Sequence, residues 1–320
     1  FEEMIRQEAA LPEGERMDMV AIVTPNHLHF EPARMALENG FHVLCDKPLT
    51  YSLEEAKKLE KLVQKSGLLL GVSYTYTGYP MVKEARQMCK RGELGTIRKI
   101  MVEYPQGWLS EPIENAGHKQ ASWRTDPAKA GISCTMGDIG VHAANLAEYI
   151  SHSQITRVCA DLNAFVPGRR LDDDGSVLLR FDSGAHGILT ASQICAGEEN
   201  GLKIQIYGDK AGIEWHQMEP NSLIVKSNEK GKLLKRTGAG ELSGEAMAHT
   251  RVPAGHPEGY IEAFANIYRN FSFAIRNYAA AQKPDPMYDF PGIDEGVRGM
   301  LWMEKVISSN QHKQKWVSLT

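Results

Sequence analysis

The sequence lacks the features of a secreted, disulfide-rich or membrane-spanning protein. It has only five cysteines in 320 residues, and no two of them form a C-x-x-C pair. No apolar run approaches the roughly 20 residues that cross a membrane, and no basic-then-apolar signal segment opens the chain. Scattered, odd-numbered cysteines suit a reducing compartment better than a disulfide framework. We therefore expect a cytoplasmic globular protein of about two domains.

The sequence also lacks a strong charge of either sign. Lysine and arginine number 36 against 40 aspartates and glutamates, which gives a formal net charge of −4. Without a basic patch, neither a nucleic acid nor an anionic membrane surface is an expected partner. We expect a small-molecule substrate instead.

Short apolar runs alternate with amphipathic segments in the first third of the chain. The apolar runs are typical of buried parallel strands. A capping-box pattern from Ser52 to Glu55 opens one of the helices between them. The predicted strands and helices alternate over residues 19–23, 31–39, 42–45, 53–66, 68–72 and 81–91. This order predicts a doubly wound parallel α/β (Rossmann-like) domain over residues 1–104.

The pattern changes after about residue 150, where apolar–polar alternation replaces the helical period. Gly-rich or acidic turns separate the predicted strands, and two long helical segments follow them. The strands cover residues 158–166, 176–181, 186–194, 203–207 and 223–226, and the helices cover 260–281 and 296–309. We predict an α+β domain over residues 105–320 with a large open, mostly antiparallel sheet, whose late helices can pack back on the first domain.

No Gly-rich turn precedes the first strand. Nucleotide-binding sheets normally open with a strand, a Gly-rich turn and a helix whose N-terminus receives the pyrophosphate. At about 30 residues per βαβ unit, roughly 60 residues of such a domain are missing. We therefore expect an N-terminally incomplete dinucleotide-binding domain, with an open strand at its edge and weak dinucleotide binding by this chain alone. The alternative is a small domain that never had this turn.

Three short segments carry a resemblance to a known family. They are Thr24-Pro25-Asn26-His27-Leu28-His29 after the first strand, Asp46-Lys47-Pro48 after the second, and Gly137-Asp138-Ile139-Gly140-Val141-His142 at the opening of a later helix. In this order and spacing they resemble the oxidoreductase family named for glucose–fructose oxidoreductase, inositol dehydrogenase and a rhizopine-catabolism protein (Gfo/Idh/MocA). The resemblance covers essentially the whole chain and implies NAD or NADP as the cofactor. One departure is Asp46, where the family usually has glutamate.

The residues of these segments suit chemistry at a hydroxyl group. Ligands of open α/β sheets bind at the carboxyl ends of the strands, where the first two segments lie. Asp138 and His142 are four residues apart, so a helix places them on one face. The resemblance implies that His142 is the acid/base, that Lys47 binds and polarises the reacting oxygen, and that Asp138 contacts the substrate and tunes the site. Which of them moves the proton stays open.

The resemblance also implies a set of cofactor-binding residues. They are Thr24, Pro25, Asn26, His29, Asp46, Lys47, Trp123 and Arg124. The first four close a buried strand, and turn chemistry explains part of that signal. The Trp-Arg pair lies in the loop before the predicted catalytic helix, where the alternative is a loop anchor.

Three further residues are candidates for hydrogen bonds to sugar hydroxyls: Tyr76, Gln106 and His256. For each of them a surface role is the competing interpretation. His27 and His29 have no third ligand at a useful spacing, so no metal site is expected.

The sequence therefore predicts an NAD(P)-dependent dehydrogenase that transfers hydride between nicotinamide and a secondary hydroxyl of a sugar, a glycoside or a cyclic polyol. The loops over residues 104–122 and 163–175 offer amide, carboxylate and imidazole groups more than clustered arginines, which favours neutral substrates over phosphorylated ones. Two alternatives are an NAD-dependent glycosidase that acts through transient oxidation at C3, and a non-catalytic sugar or nucleotide sensor. A sensor has no need of proton-transfer groups, which argues against it.

Two structural expectations complete the interpretation. The resemblance implies that the Lys47–Pro48 peptide bond is cis, since the turn must fold Lys47 back over the end of the strand toward the cofactor. Leu178 lies on the face of its predicted strand opposite to Val177 and Leu179. Since one face must cover the long helices, the second, partly apolar face needs shelter. A homodimer or homotetramer formed through this sheet is therefore expected.

Overall fold

The first part of the fold is a three-stranded parallel sheet with helices between its strands. The computed structural model describes residues 1–313 and 315–319. The elements are α1 (Glu2–Ala9), β1 (Met19–Ile22), α2 (Phe30–Glu38), β2 (His42–Cys45), α3 (Leu53–Ser66), β3 (Leu70–Val72) and α4 (Pro80–Lys90). The strands pair in the order β1-β2-β3. The predicted parallel α/β fold is confirmed. The bounds of its strands and helices differ from the predicted ones by no more than two residues.

Local side-chain chemistry sets where α3 begins and ends. Ser52 Oγ accepts a hydrogen bond from the Glu55 amide at 3.3 Å, which caps the helix as predicted. The Glu55 carboxylate accepts from the amide of Tyr51 and not from that of Ser52, so only half of the predicted capping box forms. Gly67 ends the helix in the left-handed conformation, at φ 69°.

The second part of the fold is a nine-stranded sheet. Its strands are β4 (Ile97–Pro105), β5 (Ile155–Asn163), β6 (Asp174–Phe181), β7 (His186–Ser192), β8 (Lys203–Gly208), β9 (Gly212–His216), β10 (Ser222–Ser227), β11 (Gly231–Arg236) and β12 (Trp316–Ser318). Their order is β11-β10-β9-β8-β4-β7-β6-β5-β12. Among the described residues every pair is antiparallel except β4 with β7. The large, mostly antiparallel sheet is thus confirmed.

The sequence interpretation missed β4, β9, β11 and β12. β9 and β12 are only five and three residues long, and β11 is exposed along most of its length, so it has no apolar alternation. In β4 the buried residues alternate only from Ile100 onwards, after the charged Arg98 and Lys99. β4 nevertheless lies at the centre of the sheet. The expected domain division after residue 104 cuts through its end, and the division itself stays a prediction.

The remaining helices lie between β4 and β5 or after β11 along the chain. They are α5 (Lys119–Arg124), α6 (Pro127–Ala130), α7 (Val141–Ser151), α8 (Gly244–His249), α9 (Tyr260–Ala279) and α10 (Ile293–Gln311). α10 packs against both α3 and β5, so it contacts elements of both parts. α9 buries Ile267 and Phe271 in a cluster with Leu44 of β2. None of the helices in the described part of the chain has the length and apolar character to cross a membrane.

One face of the large sheet is open to solvent. Val177 and Leu179 are buried whereas Leu178 between them is 43% exposed, which is the alternation that the sequence predicts. Leu178 pairs with Ile188 across β6 and β7, and Ile188 pairs with Met101 across β7 and β4. An apolar strip of three side chains therefore crosses three neighbouring strands on this face.

A close backbone contact holds the turn after β3 against α9. This turn is a short 3₁₀ helix over Thr75–Gly78, and a Cβ atom on Gly78 would lie 2.2 Å from the backbone oxygen of Ala263. The Gly78 carbonyl also accepts a hydrogen bond from Asn266 Nδ2 at 2.9 Å. The close approach, and not the backbone conformation, requires glycine here. The contact fixes the turn that contains Tyr76.

Gly78→Ala is expected to lower the free energy of unfolding by about 2–3 kcal/mol, because the new methyl group does not fit against the backbone of α9. Urea titration followed by circular dichroism measures the change. Gly244→Ala is the matched control, since its Cβ meets only Met287 Cε at an ordinary 3.6 Å and a helix favours alanine over glycine. An equal loss of stability in both variants would contradict the close-contact argument.

Candidate active site

Lys47 and Asp138 form an ion pair between the two parts of the fold. Lys47 follows β2, and its Nζ donates to Asp138 Oδ1 at 2.7 Å and to the Asp138 backbone oxygen at 2.6 Å. The two side chains are only 12% and 16% exposed, so solvent screens the pair weakly. The Lys47–Pro48 peptide bond is cis, as predicted. The structure thus brings together two candidate catalytic residues from segments 91 positions apart.

The Asp138 carboxylate has two further donors. Arg124 Nε lies 3.2 Å from Oδ2, and Gln193 Nε2 donates to the same oxygen at 2.9 Å. Burial by itself favours the neutral acid. The cations of Lys47 and Arg124 outweigh burial and hold the pKa of Asp138 well below its usual value. Asp138 is therefore an ionised acceptor at neutral pH.

His142, the third candidate, is buried one helical turn further along the chain. Its ring contacts those of Tyr74 and Tyr76, at centroid distances of 5.7 and 4.8 Å. Burial and the nearby Lys47 cation lower the pKa of His142 well below the 6.5 of a free imidazole, although Asp138 opposes the shift. Nδ1 is buried and has no hydrogen-bond partner among the described residues. A neutral imidazole is the form in which histidine accepts a proton.

A π-helical turn carries Asp138 into this arrangement. The turn covers Met136–Gly140 and α7 continues directly from it, whereas the sequence pattern predicts a regular helix that opens near Gly137. A Cβ atom on Gly140 would lie 2.8 Å from Met136 Sδ, so glycine lets this wide turn close against the core. π-helical turns are rare and are frequent at functional sites.

Asp172 anchors the start of the π-helical turn. Its buried carboxylate accepts hydrogen bonds from the Met136 amide at 2.8 Å and from the Cys134 amide and the Ser133 hydroxyl, both at 3.1 Å. Burial raises the pKa of Asp172 to about 6, against the effect of these donors. The sequence interpretation missed this role because three consecutive aspartates read as an acidic turn.

The three candidate catalytic residues line one cavity of ≈ 540 Å³. Tyr76 and Gln106, two of the predicted substrate-binding residues, line it as well. His256 does not reach it, because this residue lies in an exposed turn where Nδ1 contacts the Pro253 oxygen at 3.1 Å. Further lining residues, which the sequence interpretation did not single out, are Tyr104, Trp108, His118, Asn200, Gln217, Tyr260 and Phe264.

Comparison with known proteins decides the family. Residues 2–74 match an oxidoreductase family with an NAD-binding Rossmann fold, and residues 82–214 match the GFO/IDH/MocA C-terminal domain. The uncharacterized oxidoreductase YfiI of Bacillus subtilis is 34% identical, over 99% of this chain and 81% of the relative. The chain belongs to the Gfo/Idh/MocA family.

Two other relatives of this Gfo/Idh/MocA protein are named for their activity. The crystal structure of an inositol dehydrogenase homolog from Azotobacter vinelandii, complexed with NAD⁺, is 35% identical and superposes with a TM-score of 0.90, covering 98% of this chain and 81% of that chain. A levoglucosan dehydrogenase from Pseudarthrobacter phenanthrenivorans is 28% identical over 72% of this chain and 64% of the relative.

The loops after β1 and β2 fit the nicotinamide cofactor that the family uses. Asn26 lines a small cleft together with Pro48, Trp123 and Arg124. Asn26 Oδ1 is buried without a partner in the described part of the chain, so it offers an acceptor to an amide or hydroxyl of a bound cofactor. The Arg124 guanidinium lies over the Trp123 ring, 4.2 Å from its centroid. This side of the cleft is therefore a stacked, polar surface.

Other residues expected to bind the cofactor hold these loops together. The buried His29 ring contacts the Thr24 oxygen at 2.7 Å and the Pro48 oxygen at 3.0 Å. The Asp46 carboxylate accepts from the next amide at 2.8 Å, and Pro25 begins the short turn between Thr24 and His29. Contact of these residues with the cofactor stays a prediction.

The lowered pKa of His142 makes stability depend on pH. The unfolded chain binds this proton once the pH falls below about 6.5, while the folded protein stays unprotonated at His142 until the pH is much lower. The folded state therefore loses stability as pH falls through this range, by up to about 1.4 kcal/mol per pH unit. His142→Gln is expected to remove this part of the slope in urea titrations between pH 6.5 and 5.

His256→Gln is the control for this prediction, because His256 is exposed to solvent in the folded protein and stays in contact with water when the chain unfolds. We expect the wild-type slope in this variant. Identical slopes for wild type and His142→Gln would show that His142 takes up its proton equally well in both states, against the burial argument.

Proposed function

We propose that this protein is an NAD(P)-dependent dehydrogenase that oxidises a secondary hydroxyl of a sugar, a glycoside or a cyclic polyol. The observation that carries the proposal is the convergence of Lys47, Asp138 and His142 on one cavity beside the carboxyl ends of β2 and β3. The names of two relatives, an inositol dehydrogenase homolog and a levoglucosan dehydrogenase, support the substrate class.

Each candidate catalytic residue has one role in the proposed reaction. Lys47 has three ammonium protons, of which Asp138 takes two. The third is available to the substrate oxygen, where it stabilises the charge that develops as the hydroxyl proton leaves. His142 accepts that proton: its imidazole is neutral before the step, and the Asp138 carboxylate favours the charged ring and so offsets the cost of forming an imidazolium in a buried site. When bound, NAD(P) supplies the hydride acceptor.

The charges of the cavity favour a substrate without phosphate. Within the described part of the chain, the cations that line the cavity are Lys47 and Arg124, and both form ion pairs with Asp138. Asp46 lines the cavity as well, so two carboxylates balance the two cations and no excess positive charge is left to neutralise a phosphate. Most other lining groups are amides, phenols and hydroxyls, which suit hydroxyl-rich neutral molecules.

A substrate panel tests the proposed function. Cyclic polyols, monosaccharides and glycosides are mixed with the protein and with NAD or NADP, and reduced cofactor is followed by its absorbance. We expect cofactor reduction with at least one substrate. The glycosidase alternative predicts free aglycone without net cofactor reduction, and the sensor alternative predicts ligand binding in calorimetry with neither product.

Lys47→Ala and His142→Ala are expected to lower kcat by about 10²–10⁴-fold each with the substrate so identified. The Kd of the cofactor should change far less, because both residues act at the reacting oxygen. Lys57→Ala, which removes an exposed lysine of α3, is the control and should keep wild-type kcat. Wild-type turnover in either active-site variant would rule out the proposed roles.

Self-association through the open face of the large sheet completes the proposal. A monomer would leave the strip of Leu178, Ile188 and Met101 in water, and apolar patches of this kind mark interfaces. Two copies related by a two-fold axis bury the strip face to face, as a homodimer or as half of a homotetramer.

All five cysteines are free, which agrees with the proposed cytoplasmic location.

Leu178→Glu is expected to shift the protein to monomer, because it places a carboxylate in the middle of the apolar strip. Sedimentation velocity at micromolar concentration measures the change. Ile261→Glu, at a residue of α9 that is 78% exposed, is the matched control and should keep the wild-type assembly. A monomeric wild type, or an equal response of both variants, would show that the sheet face is not the interface.

A further inference from the structure

A chain of hydrogen bonds connects the Asp138 carboxylate to one wall of the cavity. It runs from Asp138 through Gln193, Gln106 and Asn200 to Tyr104. Amides and hydroxyls both donate and accept, so the direction of each bond depends on groups that cannot reverse. An ionised carboxylate only accepts and an indole N–H only donates. The Asp138 carboxylate begins the chain of hydrogen bonds, and the indole of Trp108 donates into it at Gln106.

The carboxylate fixes the orientation of Gln193, which is fully buried. Asp138 Oδ2 accepts from Gln193 Nε2 at 2.9 Å, and the Thr135 hydroxyl donates to Gln193 Oε1 at 3.0 Å. The nitrogen must face the carboxylate, because two oxygens would repel each other. The second hydrogen of Nε2 then goes to Gln106 Oε1, which is 3.1 Å away.

The indole of Trp108 fixes Gln106 independently. Trp108 Nε1 donates to Gln106 Oε1 at 3.0 Å, and this is the atom that Gln193 also requires as an acceptor. The Asp138 carboxylate, acting through Gln193, and the indole of Trp108 therefore require the same orientation of the Gln106 amide. They leave Gln106 Nε2 facing Asn200 Oδ1 at 2.8 Å, where it donates.

Asn200 and two tyrosines close a ring of hydrogen bonds. The Tyr104 hydroxyl donates to Asn200 Oδ1 at 2.7 Å, because that oxygen has no hydrogen to give. Asn200 Nδ2 donates to the Tyr76 hydroxyl at 3.3 Å, and Tyr76 in turn donates to Tyr104. Burial raises the pKa of both phenols, so both keep their protons.

The directions of these hydrogen bonds determine which groups Gln106 and Asn200 can present to a ligand in the cavity. The side-chain oxygens of Gln106 and Asn200 each accept two hydrogen bonds and are saturated. Each amide nitrogen has used one of its two hydrogens within the network. Both residues line the cavity, so the free groups that they present are N–H donors.

We infer that the wall formed by Gln106 and Asn200 selects a substrate oxygen with a free lone pair, as in a hydroxyl, ether, carbonyl or carboxylate, and rejects an amino group at that position. The inference rests on the proposed function and narrows its substrate class to sugars and polyols that are not aminated where they meet this wall. An amino group is largely protonated near neutral pH, and the resulting ammonium group has no lone pair. It would therefore leave both amide hydrogens and its own hydrogens without partners. Unpaired polar groups in a binding site are a strong source of discrimination.

An analogue series tests the inference on the substrate that the panel identifies. Each hydroxyl except the reacting one is replaced in turn by an amino group or by fluorine, which keeps a weak acceptor and has no hydrogen. At one position the amino analogue should have a kcat/KM at least about 100-fold below that of the parent, with a smaller loss for the fluoro analogue. Amino analogues accepted at every position would overturn the inference while leaving the proposed function intact.

Gln106→Glu provides the reciprocal test. The new carboxylate still accepts from Gln193 and Trp108, and its second oxygen takes the place of Nε2, so Asn200 must reverse its amide and donate to it. The wall then offers the cavity acceptors in place of donors. We expect kcat/KM for the rejected amino analogue to rise at least about 10-fold relative to the parent substrate, at that one position. Asn200→Asp makes the same exchange at the second residue of the wall and serves if Gln106→Glu does not fold, as judged by circular dichroism.

Gln217→Glu is the matched control, because it adds the same charge to the same cavity outside the hydrogen-bonded chain. An equal rescue by Gln217→Glu would mean that charge and not donor pattern governs selection, and would overturn the inference. Calorimetric Kd values for the same analogues give a readout that needs no turnover. Absence of turnover with every sugar and polyol would count against the proposed function, whereas position-specific binding of the analogues would still support the donor wall.

Discussion

The Lys47–Asp138 ion pair is the interaction on which the arrangement of this site depends. It joins the loop after β2, in the parallel sheet, to the π-helical turn before α7, which packs on the antiparallel sheet. Burying two charges is costly, and removing one partner of such a pair typically destabilises a protein by about 3–5 kcal/mol. Arg124 and Gln193 offset that cost by completing the donors around the carboxylate. The same contacts that stabilise the buried charge therefore also fix the position of the Lys47 ammonium at the cavity.

The charge on Asp138 acts over a longer distance than the ion pair itself. A neutral acid could donate to Gln193 and would permit either orientation of that amide, whereas the ionised form permits only one. Through Gln193 and Gln106 this choice reaches Asn200 in the lining of the cavity. The charge of Asp138 thus fixes which hydrogen-bonding groups Gln106 and Asn200 present, through neutral groups that cost less free energy to bury than ions.

The parts of the fold that the sequence predicted share a strong local signal. β2 and α3 are continuous apolar or capped segments, and their bounds agree with the structure. The loop between them contains Lys47, whereas Asp138 and His142 belong to a separate short motif at the start of α7, and the structure brings these three together. The structure does not bring His256 to the cavity, because a histidine in an exposed turn has the same local sequence signal as one in a cavity. β11 and the π-helical turn have no such signal, since an exposed strand has no alternation and a π turn depends on packing against Met136 and Trp302.

Of the wall formed by Gln106 and Asn200, the sequence predicted only Gln106, because sheet topology, and not local sequence, brings Asn200 and Gln193 beside it. β4 and β7 are parallel, so their carboxyl ends lie at the same edge of the sheet, and Gln106 and Gln193 follow those ends directly. β8 is antiparallel to β4, so it begins at that edge, just after Asn200. Three residues from positions 106, 193 and 200 thus become neighbours only through the order β8-β4-β7. The parallel pairing of β4 with β7 places the three amides side by side. An antiparallel pairing of these two strands would send Gln193 to the opposite edge, away from Asp138.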